Sequence, residues 1–330
     1  MWLEAGWGPN PSGTGPDSLP GRVRYGAAVI ATRRPVDAPA AGLMALLCAL
    51  WGLQQVVIKV AAPDIAPILQ VALRSGISAA LVAVWARSRG QPLGLLGPAL
   101  LPGLLAGALF GVEFLFVAEG LRHTTASHMA VFLYTSPVFT ALGLHFTIRA
   151  ERLSRLQWVG VLSSFAGIVV AFGGELLAGG IAPGALVGDL LGVAAGAAWG
   201  GSTVVVRNSA LSEAPPAQTL QYQLLVGFVL LLLAAVATGQ IERVTFTPLA
   251  WGSVLFQGVV ISFASYLAWF WLLRRYLASR IAVFSFMTPL FGVSFGVLLL
   301  GEPVTVSFGA GALLVLAGIT VVSLAGMRRR

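Results

Sequence analysis

Charge is what this sequence has least of. Only 10% of its 330 residues are Asp, Glu, Lys or Arg, against 57% that are hydrophobic, and the mean hydropathy is +0.88. A soluble domain carries about 25% charged residues, and a water-soluble chain of this length has too little interior to hide so much apolar surface. The sequence has one cysteine, Cys48, so it holds no internal disulfide. Cys48 sits in an apolar run and reads as a small buried hydrophobe. Three histidines, His123, His128 and His145, cannot build a shared metal site: His128 and His145 alone lie roughly 25 Å apart along a helix. No G-x-x-x-x-G-K-[ST] loop is present to cradle a nucleotide, and no H-E-x-x-H pair to hold zinc. Metals, cofactors and nucleic acid are therefore not expected, and the chain reads as no enzyme.

What remains is a membrane chain. About 20 apolar residues cross the hydrocarbon as a helix. Ten such segments are visible, centred near Ala49, Ser78, Leu109, Ser136, Ser163, Ala195, Leu230, Val260, Leu290 and Leu314. Short polar breaks such as "RSRGQP", "RAERLSR" and "GEPVT" separate them. Residues 1–40 stand apart: Gly/Pro-rich, without apolar period, and without the order of a signal peptide, they read as a disordered tail. The net charge of +8 is spread over the ends of apolar runs. With the N-terminus inside, sixteen arginines fall on the inner side, and only Lys59, Arg122 and Arg243 fall outside. Arg74 lies within the second span. This bias places both termini in the cytoplasm.

The two halves repeat. At an offset of 152 residues Leu121 matches Leu273, Arg122 matches Arg274, Ala126-Ser127 matches Ala278-Ser279, and Pro137 matches Pro289. With small changes of offset Trp51-Gly52 pairs with Trp199-Gly200, Lys59 with Arg207, Glu151 with Glu302, and Gly160 and Gly167 with Gly311 and Gly318. Each unit contains five spans, an odd number, so the second is inverted in the membrane. The expected fold is an all-α polytopic membrane protein of ten transmembrane helices, built as two inverted five-helix repeats. Such repeats characterise secondary transporters, whose substrate site lies near the midplane between them.

The segments "WGLQQVVIKV", "EGLRHTTASHMAVFLYTSPVF", "ERLSRLQWVGVLSSFAGIVV" and "GEPVT", in this order, resemble the EamA family of the drug/metabolite transporter superfamily. The resemblance covers about residues 41 to 325. It implies a first repeat over 41–173, a second over 183–325 and a basic cytoplasmic end at 326–330. It further implies an inner-membrane carrier, often an exporter of amino acids, metabolites or drugs, without fixing the substrate.

Pro137 and Pro289 sit inside spans, where proline removes a backbone donor. The freed carbonyl must face protein or a hydrated cavity. Each proline reads either as a static kink or as a hinge. Gly103, Gly107 and Gly111, and Gly188, Gly192, Gly196 and Gly200, form small-residue stripes that read as internal packing seams, with dimerisation the alternative; the chain is expected as a monomer or homodimer in the bilayer. Glu113 is the deepest acid, and with Arg74 it reads as a buried ion pair or as a substrate or proton site. Glu119 and His128 could meet across one turn and carry a proton. Gln54, Gln55, Gln70, Arg74, Glu113, Tyr134, Tyr222, Tyr266 and Trp269 are the candidates for lining a cavity around a small-molecule substrate. Asp189 reads as a helix cap or first-turn acid. The function expected is secondary-active transport by alternating access, with proton coupling at Glu113, Glu119 or His128. An intramembrane enzyme and a channel without ion coupling are the alternatives.

Overall fold

The computed structural model describes residues 37–91, 93–149, 152–177, 184–242, 244–245, 247–276 and 284–327. Nearly all of the N-terminal tail, Glu151, Arg243, residues 277–283 and the last three arginines lie outside these. The described chain is helical, with an isolated bridge pairing Ile65 and Val244. In chain order the helices are α1 (Ala38–Ala61), α2 (Pro67–Ser88), α3 (Leu100–Gly120), α4 (Ala126–Leu133), α5 (Ser136–Thr147), α6 (Arg155–Leu177), α7 (Ala185–Arg207) and α8 (Pro216–Ala237). Then come α9 (Pro248–Leu255), a π-helical stretch over Phe256–Ser265, α10 (Tyr266–Arg275), α11 (Met287–Leu300) and α12 (Val306–Met327).

Eight segments are long and apolar enough to cross a membrane. The α4–α5 pair forms one of them, and Pro248–Trp269 another. The remaining two of the ten expected spans, Arg155–Ala171 and Met287–Leu300, are shorter apolar helices.

Proline breaks the fourth span. α4 stops at Leu133, Tyr134 and Thr135 turn, and α5 restarts with Pro137 in its first turn, where the missing N–H costs nothing. The Thr135 hydroxyl donates to the Phe132 carbonyl at 2.6 Å, pairing an acceptor at the break. Pro289 sits in the first turn of α11 in the same way, with Ser285 and Phe286 turning just before it.

The repeat is visible in the packing. A Cβ on Gly52 of α1 would meet Gly292 N at 2.7 Å, Phe291 Cβ at 2.9 Å and Thr288 O at 2.9 Å. A Cβ on Gly200 of α7 would meet Thr140 N at 2.9 Å, Phe139 Cβ at 2.8 Å and Ser136 O at 3.0 Å. These are matching positions of the two repeats, so α1 seats on α11 as α7 seats on α5. The longest seam joins α6 to α12. There Gly160 faces the Gly318 carbonyl and Gly167 faces the Gly311 carbonyl, two crossed pairs related by the same repeat.

Both glycine stripes are filled within the chain. Gly103 and Gly107 of α3 receive Tyr222 and Val226 of α8, and Gly111 faces Gly227. Gly188, Gly192, Gly196 and Gly200 of α7 receive Thr124, Phe132, Thr135 and Phe139. These stripes are seams between helices of one chain.

Backbone, not a yielding side chain, stands against Gly160. Gly160→Leu should therefore force α6 from α12 and cost about 1–3 kcal/mol or abolish folding. Gly42→Ala, with nothing within 4 Å of the added carbon, should leave the melting temperature in detergent unchanged. Thermal unfolding of the two purified variants checks both outcomes.

Candidate functional site: a cavity between the repeats

A cavity of ≈ 380 Å³ lies between the two halves. The residues at the two helix breaks open onto it: Leu133 and Tyr134 from the first repeat, and Ser285 and Phe286, their counterparts, from the second. Trp51 and its counterpart Trp199 face it from α1 and α7. Phe110, Glu113 and Phe114 of α3 and Tyr266 and Trp269 of α10 complete the aromatic wall. Gln54, Gln55 and Gln223 add amides, and Pro137 lies at its edge. The breaks thus put unwound backbone where it borders a cavity rather than lipid, as a membrane interior requires.

Among the cavity residues expected from sequence, Gln54, Gln55, Glu113, Tyr134, Tyr266 and Trp269 line this space. Three do not. Gln70 is buried and spent on structure: its amide donates to Ile58 O at 3.1 Å and Ile65 O at 2.8 Å, and its oxygen accepts from Ser253 and Gln257 at 3.0 Å each. It ties α2 to the eighth span. Tyr222 is turned into the α3 seam against Gly103. Arg74 is fully buried, with its guanidinium 3.8 Å over the ring of Phe114 and no hydrogen-bond partner. The expected Arg74–Glu113 ion pair is not formed.

The expected meeting of His128 with Glu119 is replaced by two separate clusters. Glu119 pairs with Arg122 at 2.8 Å and with His123 at 3.2 Å, all partly exposed. His128 instead points its Nδ1 at Asp189 Oδ2, 2.9 Å away, and stacks on Phe308 with ring centroids 3.9 Å apart. Asp189 also accepts from the Thr124 hydroxyl. Asp189 is buried in the second turn of α7 and is not a cap, since Gly184 occupies the cap position.

Beside this pair lies a second carboxylate that sequence reading had left at a helix end. Gly301 ends α11 in the left-handed conformation, φ +65°, which glycine adopts without penalty. The chain reverses there and directs Glu302 onto the N-terminus of α4. Glu302 accepts from Ala126 N at 2.7 Å, Ser127 N at 2.9 Å, the Ser127 hydroxyl at 2.7 Å and Lys59 Nζ at 3.3 Å. Lys59 also donates to Thr124 O at 2.7 Å. Burial alone would raise the Glu302 pKa. The backbone N–H of Ala126, the hydroxyl and N–H of Ser127, and Lys59 outweigh it and hold the carboxyl below its ordinary range. Together Glu302, Lys59, Asp189 and His128 join the two repeats at the end of the molecule that carries the α3–α4 turn. The legible hint was the repeat itself, which set Lys59 against Arg207 and Glu302 against Glu151.

A helical membrane protein of two repeats, with a cavity at helix breaks between them, is of the transporter class. The EamA-like transporter family model matches residues 39–173 and 186–324, and the chain belongs to that family. The chain is 26% identical to YoaV, an uncharacterized transporter of Bacillus subtilis, over 85% of this chain and 95% of that one. It is 28% identical to a Salmonella typhimurium protein named "Probable amino-acid metabolite efflux pump", over 85% and 93%. A solved crystal structure at 20% identity superposes with a TM-score of 0.57, covering 88% of this chain and all of the other, and shares the fold.

Glu302→Gln keeps the shape but loses the charge behind four hydrogen bonds. It should lower stability at neutral pH by about 2 kcal/mol. Because the native pKa is depressed, this contribution is present above the ordinary glutamate value of about 4.3 and is lost as pH falls through the native value. Melting curves of wild type and variant should therefore differ at pH 7 and converge in acid.

Proposed function

We propose that the chain is a secondary-active carrier of the inner membrane that exports small amphipathic solutes by alternating access, with proton movement as its driving force. The observation that carries this reading is the cavity at the paired helix breaks, with the Glu302 clamp joining the two repeats beyond one end of it. A carrier needs a site near the midplane and a barrier that can be made and unmade on each side. The clamp supplies a barrier made of hydrogen bonds between repeats, not of covalent continuity. Breaking it exchanges protein partners for water, so its net cost is small enough for a conformational cycle.

The arginine distribution supports cytoplasmic termini, and with them an outer position for the clamp. Glu113 in the cavity supports proton coupling there, and the buried His128–Asp189 pair gives a second place where a proton could bind next to the clamp. The relative named as an efflux pump supports export of amino-acid metabolites as the first solutes to try.

Purified protein in proteoliposomes, given a pool of amino acids and small metabolites, should accumulate solute when a pH gradient is imposed. Glu113→Gln should abolish the gradient-driven part, and His128→Ala should reduce it. Solute movement that ignores the gradient would leave a facilitator or exchanger. An absence of movement for any solute would sink the carrier reading.

A further inference from the structure

Glu113 is 5% exposed, and it lines the cavity with no ion pair or hydrogen bond among the described residues. An acid in that setting is costly unless something partners it. The obvious candidate, Arg74, stands over the Phe114 ring, makes no ion pair with Glu113 among the described residues and does not line the cavity. One further polar atom on the cavity wall leans the same way. Gln55 Oε1 is a buried acceptor without a donor among the described residues, and one of the two Gln223 amide hydrogens is given to Ser202 at 3.1 Å. Around these acceptors stand two groups of electron-rich rings. Trp51 lies 5.7 Å from Trp269 and 6.4 Å from Tyr266, and Tyr134 lies 5.4 Å from Trp199. Indole and phenol faces attract cations, most strongly when desolvated. A carboxylate, an orphan carbonyl and a ring cage share one preference: a positively charged donor on an apolar body.

We propose that this cavity binds an organic monocation, an ammonium group carried on an aromatic or alkyl body, with Glu113 as its counter-ion and the tryptophan–tyrosine cage around it. The inference rests on the carrier reading for its purpose but not for its test. The volume of ≈ 380 Å³ lies within the range of small-molecule sites. An anion would meet Glu113 with no cation facing it from the wall.

The full chain in detergent at pH 7 is titrated with phenethylamine, with 2-phenylethanol as the uncharged analogue, and with phenylalanine as the zwitterion. Tryptophan fluorescence follows binding. Phenethylamine should bind at least tenfold more tightly than 2-phenylethanol. Glu113→Gln should lose at least tenfold for the amine while leaving the alcohol unchanged. Glu113→Asp, which keeps the charge, should retain most of the affinity, and Trp269→Leu should weaken amine binding severalfold; size-exclusion profiles matching wild type show that each variant is folded. Should the glutamine variant misfold, the amine–alcohol comparison and Trp269→Leu decide alone. Equal binding of amine and alcohol, or unchanged amine binding in Glu113→Gln, would overturn the inference. Tighter binding of phenylalanine than of phenethylamine would overturn it too, by assigning a carboxylate-binding role to Arg74. Amine binding without amine movement in proteoliposomes removes the carrier reading and keeps the cage; movement of other solutes without amine binding does the reverse.

Discussion

The junction between the repeats at the α3–α4 turn depends on a single carboxylate. Where α4 starts, its first N–H groups have no partner within the helix, and the membrane offers little water to serve them. Glu302 supplies the acceptor from the other repeat and brings a full negative charge to the positive end of the helix. Three features of the chain permit this. Gly301 turns the backbone, Lys59 balances the charge, and Gly296 leaves the space, since a Cβ there would collide with Ser127 Oγ and the Glu302 carboxylate. The His128–Asp189–Thr124 cluster braces the same turn from α7. The α4 N-terminus is thus held by acids from both its neighbours, and the helix break behind it is left to shape the cavity.

The break and the clamp are linked by geometry. α4 has only eight residues before Tyr134, so fixing its first turn also fixes where Tyr134 enters the cavity. Its neighbour α5 restarts on Pro137 and is seated against Gly200, backbone to backbone. A side chain at Gly200 would push the two apart and move the cavity wall with them. Close approach through glycine, a proline-set restart and a capped start together place a few aromatic rings without any rigid loop.

Much of this was legible in the sequence. Proline and glycine report on backbone events, and backbone events repeat faithfully: Pro137 and Pro289, Gly52 and Gly200, Gly160 and Gly311 were visible as a pattern and take equivalent places in the fold. Side-chain partners were less legible. Hydropathy gives the length of a span but not its rotation, because an all-apolar helix has no strong polar face to orient it. Gln70, Arg74 and Tyr222 are deep and polar, so each seemed to belong to the cavity, yet rotation turned them to the Ser253–Gln257 network, the Phe114 ring and the Gly103 seam. Asp189 was misplaced by one helical turn, which is enough to convert a cap into a buried partner for His128. Which helix end Glu302 serves was not legible: the backbone donor Ser127 lies 175 residues away in sequence, beyond what local spacing can report.

The repeats also differ, and the difference carries mechanism. α3 packs along α7 over most of its length, whereas the related contact in the other direction, the eighth span against α1, is far slighter. Two related units therefore hold two different arrangements toward each other at once. Seams of small residues pay little for either arrangement, because they bury no polar group and lock no long side chain. In the alternating-access reading, exchange of these two arrangements between the repeats would open the clamped end and close the other. The energetic requirement is that both remain close in free energy. A ten-residue π-helical stretch in the eighth span is a departure of the kind often found at functional sites. It runs directly into Tyr266, and Tyr266 and Trp269 both line the cavity. In the alternating-access reading, this irregular segment therefore adjoins the part of the wall that would touch the solute.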